Sequence, residues 1–469
     1  MKKTKTICTL GPATSDYQTI LGLIKNGMNV ARLNMSHGNL STHQKSIDMV
    51  KQARLELGVP CAIMLDTRGP EIRIGHFSCD KIILKRGDLF TFTSRQIDGD
   101  QNEVSINFPP IIKGAKVGGS VFANSGLLEF KIIEVTKTDI ICKVVEGGEL
   151  SSYKNFAVPR AKIDMPYLSE TDKEHIKFAA QNNLEFVACS FVGGAEDVRV
   201  VKKYIASLGG DMEIISKIES EEGINNLEEI IDESHGIMIA RGDMGTEIPI
   251  AQIPSVQKHI INSCTIKGKP VIVATEMLES MTEKTRPTRA EAADVAAAVF
   301  DGTCATMLSG ETAVGVNPVG AAKTMSSIAD VTEQNIDYDE AFVGHFKYHN
   351  ALDAVSYSAC AAAMALKAKV IVCFTQTGRT VKRLSRFRPA ATILAVTYNP
   401  QVYNTLSLSW GVLPVLTPAE IKFDNMFETA NQLVKDLKLA KRGDVIIITT
   451  GSPTVHMGPT NMIKISEVE

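Results

Sequence analysis

Short β-branched, apolar runs alternate with longer stretches of helical spacing through residues 1–75 and again through 185–315. The runs are TKTICTL, NVARLN, CAIMLD, FVACSF, EIISKIE, GIMIARGD, VIVATE and CATMLSGE. Each is nearly continuous in apolar character, as a strand buried on both faces must be. Between them lie amphipathic segments such as DYQTILGLIKNG, STHQKSIDMVKQARLEL, AEDVRVVKKYIASLG and IPSVQKHIINSCTIKG, which suit helices covering the outer face of a parallel sheet. Eight strand–helix units predict closure into a (β/α)8 (TIM) barrel, ahead of an open doubly wound sheet.

Residues 70–164 interrupt this rhythm. KIILKRGDLFTFTS, VSINFP, SVFAN, LLEFKIIEVTKTDIICKVVE and KNFAVP are strand-rich, with Gly and Asp at the turns, and predict a small all-β domain inserted after the third barrel strand. From residue 338 the alternation restarts with the Ala-rich helix DAVSYSACAAAMALKA and the strands VIVCFT, TILAVT, GVLPVL and DVIIITT. The predicted layout is a discontinuous barrel from 1–69 and 165–337, a β lid over 70–164, and a C-terminal α/β domain over 338–469. A chain of 469 residues is long enough for roughly three domains.

Charge narrows the partners. Fifty Lys plus Arg face 53 Asp plus Glu with both signs dispersed, which excludes a strongly basic nucleic-acid footprint. No apolar run approaches the ~18 residues that span a bilayer, and MKKTKTICTLGP meets Gly-Pro before a signal-type apolar region develops. The nine cysteines are odd in number, include no CxxC and often sit in apolar runs. Buried thiols in a reducing cytoplasm are expected, rather than disulfides or a zinc site.

A barrel demands functional residues at the carboxyl ends of its strands. Polar residues gather there: Arg32, Asn34, Ser36 and His37 after the second strand, Asp66 and Thr67 after the third, and Ser190 after the fourth. Lys217 and Glu219 follow the fifth, Arg241 and Asp243 the sixth, Thr275 and Glu276 the seventh, Ser309 and Glu311 the eighth. Ordinary loop polarity would explain one or two such ends, not seven. Glu219 and Asp243 are hard oxygen ligands of the kind Mg²⁺ (or Mn²⁺) takes together with substrate oxygens. Lys217 beside them is a compact positive charge for a phosphate or an enolate oxygen. Arg32 offers a planar fork for phosphate, and Lys154 of the insertion is placed to reach over. Thr275 and Ser309 relay protons only through water, being weak bases. This set suits phosphoryl transfer, where catalysis is mainly positioning and charge stabilisation. Neither GxxxxGK[ST] nor GxGxxG occurs, so a P-loop or dinucleotide site is not indicated.

RLNMSHG, LDTRGPEIR, IISKIESEEG, IMIARGDMGTEIP, ATEMLESM, RPTRAEAADVA and MLSGETAVG, in this order, closely resemble the pyruvate kinase family. The resemblance extends through the whole chain. It implies transfer of the phosphoryl group of phosphoenolpyruvate to ADP, giving pyruvate and ATP in the last step of glycolysis. By the same resemblance Lys217 stabilises the phosphoryl group and the enolate, Glu219 and Asp243 hold the divalent metal, and the backbone around Gly242 with Thr275 cradles the substrate carboxylate. Thr275 and Ser309, with water, supply the proton route. Arg32, His37 and Lys154 match nucleotide- and phosphate-contacting positions. Asn34, Ser36, Asp66 and the Thr67 carbonyl match a K⁺ site, and Glu71 stands where K⁺-requiring members carry Glu.

The last domain resembles the family's regulatory domain. Thr375, Thr377, Gly378, Arg379 and Thr380 of TQTGRT match its phosphate loop, an anion nest for a sugar-phosphate effector, and GSPTVHMGPTN (451–461) matches its closing flap. A homotetramer is implied by the resemblance alone. Arg383, Arg386 and Arg388 are expected on a solvated or subunit-contact face. The chain also departs from the family pattern: Asn124 and Ser125 replace two acidic residues, Gly193 a basic one, Glu276 a Gln, Ala297 an Asn and Cys304 an Asp. Asn155 and Ala157, which flank Lys154, depart as well. These changes motivate an alternative, an attenuated paralogue serving mainly as a ligand-binding or regulatory protein. A different metal-dependent barrel enzyme acting on phosphoenolpyruvate or pyruvate is a third reading.

Overall fold

The computed structural model describes residues 2–124, 126–159, 166–339, 350–451 and 460–469. Eight parallel strands close into a barrel: Lys5–Leu10, Met28–Asn34, Ala62–Asp66, Phe186–Cys189, Glu213–Ile218, Gly236–Ala240, Val271–Ala274 and Ala305–Leu308. The first strand pairs with the second and the eighth, Cys8 facing Leu308 on one side and Ala31 on the other, so no edge is left. All eight predicted strands are present in the predicted order.

Period-two alternation divides the strand residues between two cores. Ile7, Val30, Met64, Ala188, Ile215, Met238, Ile272 and Ala305 fill the barrel interior. Their neighbours, including Cys8, Ile63, Ile214 and Val273, pack outward under the helices. Truncating one such residue to Ala costs on the order of 2–5 kcal/mol. Continued by two residues toward the carboxyl end, the inward rows change character. Ile7 leads to Thr9, Val30 to Arg32, Met64 to Asp66, Ala188 to Ser190, and Ile215 to Lys217 and Glu219. The same alternation that builds the apolar core therefore carries these polar side chains toward the barrel mouth.

The insertion folds around its own phenylalanines. Phe92 contacts Phe90, Phe130 and Phe156 at ring-centroid distances of 5.2, 5.1 and 4.7 Å. Its sheet of six strands is joined by a two-stranded ribbon, Lys81–Leu84 with Gly148–Ser151. One turn reaches the barrel: Gly126, at φ +82°, lies so close to the helix after the sixth strand that a Cβ there would meet Thr246 Cγ2 at 2.8 Å.

The C-terminal sheet has five strands, in the order Val412–Leu416, Thr392–Thr397, Val370–Phe374, Val445–Thr450 and Met462–Glu467. The last, antiparallel to Val445–Thr450, was not among the expected strands. It is an edge strand, and its Lys464 and Glu467 obscure the apolar signal. Another expectation is corrected here. Arg386 and Arg388 do not lie on a solvated face, because the helix Arg379–Arg386 and the residues after it pack against the amino-terminal end of the barrel, whereas Arg383 keeps 34% of its side chain exposed. Arg386 is 5% exposed, and the Arg388 guanidinium lies 4.6 Å from the Trp410 ring. All nine thiols are free and, except for Cys79, buried. No helix of the described residues is long and apolar enough to cross a membrane.

Candidate active site

The barrel mouth is organised around Asp66. One carboxylate oxygen accepts from Arg32 Nε at 2.6 Å, and the other pairs with Lys217 Nζ at 3.2 Å. Arg32 Nη1 also donates to Thr9 Oγ1 at 2.9 Å. Lys217 Nζ further donates to Ser190 Oγ at 2.8 Å and lies 2.9 Å from Glu219 Oε1. Ser190 in turn donates to the Thr67 carbonyl at 2.8 Å. Second, third, fourth and fifth strands are thus tied together by side chains at their carboxyl ends.

Burial makes the charge balance decisive. Desolvation raises the Asp66 pKa, but Arg32 and Lys217 together outweigh it and hold the carboxyl below its ordinary range. Burial likewise works against the Lys217 ammonium, and Asp66 with Glu219 overcomes it, so Lys217 titrates above an ordinary lysine. It is a fixed positive charge, not a base. Glu219 is the opposite case: burial pushes it up to about 7, Asp243 adds repulsion, and Lys217 only partly offsets them.

Glu219 is also the strongest test of metal fit. Its Oε2 accepts the Phe191 N–H at 2.6 Å, whereas the buried Oε1 has the Lys217 ion pair but no well-formed hydrogen bond. A buried carboxylate oxygen in this state, with a second carboxylate close enough to raise its pKa, fits a hard divalent cation. Among the described residues no group of three or more His, Cys, Asp or Glu side chains forms a ready-made metal cage. Two carboxylates would leave a bound cation with coordination positions open to other oxygens.

Thr275 stands at the end of the seventh strand with φ +65°, followed by Glu276 at +54°, a left-handed pair disfavoured for both residues. Arg241 holds the turn: its guanidinium donates to the Thr275 carbonyl at 2.6 Å and the Glu276 carbonyl at 3.1 Å while paired to Asp294 at 2.8 Å. The result directs Thr275 Oγ1 to the Gly242 N–H, 2.8 Å away. Gly242 and Asp243 lie in the first turn of helix Arg241–Glu247, whose amide dipoles favour an anion.

Around the second strand, His37 is depressed by burial and by the charges of Arg73, Arg32, Lys154 and Arg68, which places these cations together beside it. Arg73 is held by Glu71 at 2.6 Å and by the Tyr153 carbonyl at 2.8 Å, joining the two chain segments at the base of the insertion next to Lys154. Asn34 and Asp66 are register partners, Asn34 Oδ1 accepts from the Ser36 N–H at 3.1 Å, and the Thr67 carbonyl is close by through Ser190. Asn34 Oδ1, Asp66 and the Thr67 carbonyl bring oxygens to this corner, each already accepting a hydrogen bond. Ser309, at the end of the eighth strand, is fixed through its N–H by Glu311 at 2.7 Å.

The remaining candidates form a separate site. Thr375, Thr377, Arg379 and Thr380 line a cavity of about 920 Å³ in the C-terminal domain, with Lys422 and Glu420 opposite. The Gly378 N–H donates to Thr375 Oγ1 at 2.9 Å. The proposed flap lies outside the described residues over 452–459, as does Ser125.

Sequence reasoning missed two connections. Ser190 was noted only as a strand-end polar residue, yet it touches Lys217, Asp66 and the Thr67 carbonyl. Arg73 carried no signal apart from its place in LDTRGPEIR. The described departures from the family pattern lie outside the Lys217–Asp66–Arg32 network. Asn124 bonds the Glu149 carbonyl at 3.3 Å, the Gly193 N–H donates to Asp197 at 2.8 Å just ahead of helix Ala195–Ser207, Glu276 is exposed, and Cys304 precedes its strand at the opposite barrel end.

A parallel barrel with a lysine, two metal-competent carboxylates and a cationic cluster at its carboxyl end defines the class: a barrel phosphotransferase. Residues 1–322 match the pyruvate kinase barrel domain, and residues 353–466 match the pyruvate kinase alpha/beta domain. The chain belongs to the pyruvate kinase family. It is 44% identical to a pyruvate kinase of Clostridium perfringens and 41% identical to one of Clostridium acetobutylicum, each alignment covering all of both chains. A crystal structure of a pyruvate kinase from Cryptosporidium parvum superposes with a TM-score of 0.94 at 36% identity, over 100% of this chain and 96% of that one.

Proposed function

We propose that the enzyme transfers the phosphoryl group of phosphoenolpyruvate to ADP, releasing pyruvate and ATP, with the barrel mouth as its site. The bond between phosphorus and the enol oxygen breaks, one between phosphorus and a terminal ADP oxygen forms, and the enolate gains a proton at its methylene carbon. Lys217 carries the reading: a buried ammonium held in place by Asp66, Glu219 and Ser190 is pre-organised to meet negative charge on the phosphoryl oxygens and the enolate oxygen. Glu219 and Asp243 would hold Mg²⁺ or Mn²⁺, which when bound neutralises phosphoryl charge. The Gly242 N–H and Thr275 hydroxyl receive the substrate carboxylate. Arg32, His37 and Lys154, joined by Arg73, face the nucleotide phosphates, and the insertion closes over them.

Thr275 and Ser309, on neighbouring strands, orient the water that protonates the enolate carbon. Asn34, Ser36, Asp66 and the Thr67 carbonyl bind K⁺ beside the phosphate. The proposed division is barrel 1–69 with 165–337, lid 70–164 and regulatory domain 338–469. In the last of these the Thr375–Thr380 loop takes a sugar-phosphate effector, and the enzyme works in the cytoplasm as a homotetramer. A coupled assay of pyruvate formation, with Mg²⁺ and K⁺ present, tests the central claim. ADP-dependent turnover is expected, and Lys217→Met should remove most of kcat while metal binding persists. Phosphoenolpyruvate binding without ADP-dependent turnover would overturn it.

A further inference from the structure

The peptide joining Ser190 to Phe191, at the carboxyl end of the fourth barrel strand, is gripped from both sides. Its carbonyl accepts the Tyr167 hydroxyl at 2.7 Å, and its N–H donates to Glu219 Oε2 at 2.6 Å. Glu219 is fully buried, so this N–H, with Lys217 on the other oxygen, fixes the direction of its carboxylate.

The two sides of that peptide differ in freedom. Ser190 is anchored: its N–H donates to Thr67 Oγ1 at 3.2 Å, and its hydroxyl is engaged by Lys217 and the Thr67 carbonyl. Phe191 instead holds φ at +53°, a left-handed value disfavoured for a phenylalanine. Rotating the peptide plane by about half a turn would restore an ordinary negative φ. The same rotation carries the N–H away from Glu219 and brings a carbonyl oxygen toward it. The relaxed backbone is therefore the one that disturbs Glu219, and the Tyr167 hydroxyl opposes it by holding the carbonyl.

Tyr167 lies where the chain re-enters the barrel from the insertion, just before helix Glu170–Gln181. The outgoing crossing packs on the same peptide: a Cβ on Gly69, at φ +70°, would meet the Ser190 carbonyl oxygen at 2.8 Å. Asp172 ties the two crossings together by accepting the Arg68 N–H at 3.0 Å.

We propose that Tyr167 is a positioning residue for the divalent cation, its hydroxyl locking the Ser190–Phe191 peptide in the orientation that presents Glu219. This rests on the reading that Glu219 is a ligand of that cation. Tyr167 acts through one peptide group and not by contact with the reacting atoms. Its place at the return crossing also joins Glu219 to the segment that carries the insertion.

Tyr167→Phe removes only the hydroxyl and keeps the ring, which packs against the outer core of the barrel. Mn²⁺ binding to the free enzyme is measured by electron paramagnetic resonance in K⁺ buffer, beside wild type and Glu219→Gln, and unfolding midpoints are taken in EDTA. Glu219→Gln should lose most of its Mn²⁺ affinity. Tyr167→Phe should bind Mn²⁺ about 10-fold more weakly, the lower end of what groups that orient a metal ligand contribute, with an EDTA midpoint close to wild type. The Mn²⁺ concentration for half-maximal turnover should rise by the same factor, while kcat at saturating Mn²⁺ falls much less. Unchanged affinity in Tyr167→Phe, with affinity lost in Glu219→Gln, would overturn the role of Tyr167 and leave the metal assignment standing. Unchanged affinity in Glu219→Gln would overturn both. Weaker binding accompanied by a large fall in the EDTA midpoint would make the hydroxyl a part of the fold alone, and would overturn the role as well.

Discussion

Lys217 and Asp66 meet at 3.2 Å across the barrel mouth, although 151 residues separate them along the chain. The other oxygen of the same carboxylate holds Arg32 at 2.6 Å, so one buried anion positions two buried cations. Asp66→Asn removes that anion and leaves Lys217 and Arg32 to repel each other out of water. Breaking a buried pair this way costs about 3–5 kcal/mol. The expected result is a lower unfolding midpoint together with a kcat loss on the order of 10²–10³, the scale of one electrostatic contact in a transition state. Near-normal kcat in a folded variant would show that Asp66 does not position the pair.

Ser190 is predicted to be a positioning residue. Its hydroxyl accepts from Lys217 at 2.8 Å and donates to the Thr67 carbonyl at 2.8 Å, joining that lysine to the proposed K⁺ corner. Ser190→Ala should lower kcat by about 10- to 100-fold, the effect of a misplaced catalytic group. The KM for phosphoenolpyruvate should change much less. A drop in the unfolding midpoint with kcat intact would mean that the hydroxyl serves only the fold.

Monovalent-cation dependence is predicted, with its site at the second and third strand ends. Asn34, Ser36, Asp66 and the Thr67 carbonyl supply hard oxygens there, and Glu71 is held nearby by Arg73. Burial raises the Glu71 pKa, Arg73 opposes this, and Asp243 and Lys217 are close enough to contribute. Turnover in K⁺ should exceed turnover in tetramethylammonium by roughly tenfold or more, about 1.4 kcal/mol of barrier. Glu71→Lys, which puts an ammonium in this corner, should shrink that ratio. Equal turnover in the two cations would contradict the assignment.

The barrel was legible because both of its signals are local. Continuous apolar runs such as IISKI mark doubly buried strands, and the inward row continues into Lys217 and Glu219 at the same period of two. Residue type and strand end together were therefore enough to nominate the site. What the sequence could not convey was which ends meet. Ser190 touches residues from the third and fifth strands only because the barrel closes, and no spacing in the chain encodes that. The arginines at 386 and 388 misled for a related reason. Charge in an amphipathic helix ordinarily means solvent, but here the barrel covers this end of the helix and supplies the Gly302 carbonyl, while Trp410 and Asp353 of the same domain are further partners. The strand Met462–Glu467 was lost because an edge strand needs only one apolar face.

The amino-terminal strand gives the fold a pH dependence independent of catalysis. Lys5 is buried, and among the described residues its Nζ donates only to the Val412 carbonyl, at 2.7 Å. Burial, reinforced by Lys2 and opposed by Glu333, lowers its pKa to about 7, and burial likewise takes Lys2 and Lys3 down to about 8. In the unfolded chain all three revert toward 10.5, so between these values the unfolded state binds more protons than the native state. Stability must then rise with pH across that interval, by at most about 1.4 kcal/mol per pH unit for each fully differential group. Two other sets of groups bound the window. His235, pushed down to about 4, acts at lower pH, where its unfolded form titrates near 6.5. Cys61, pushed up to about 12 by burial, opposes the trend once its unfolded thiol ionises above 9.0. Denaturant unfolding should therefore show stability increasing from pH 7 to pH 9. Lys5→Met should be more stable than wild type at pH 7 and have a flatter profile, because the buried ammonium and its titration are both removed. A wild-type profile that falls over this window, or a Lys5→Met variant with the unchanged slope, would show that Lys5 keeps its charge on folding.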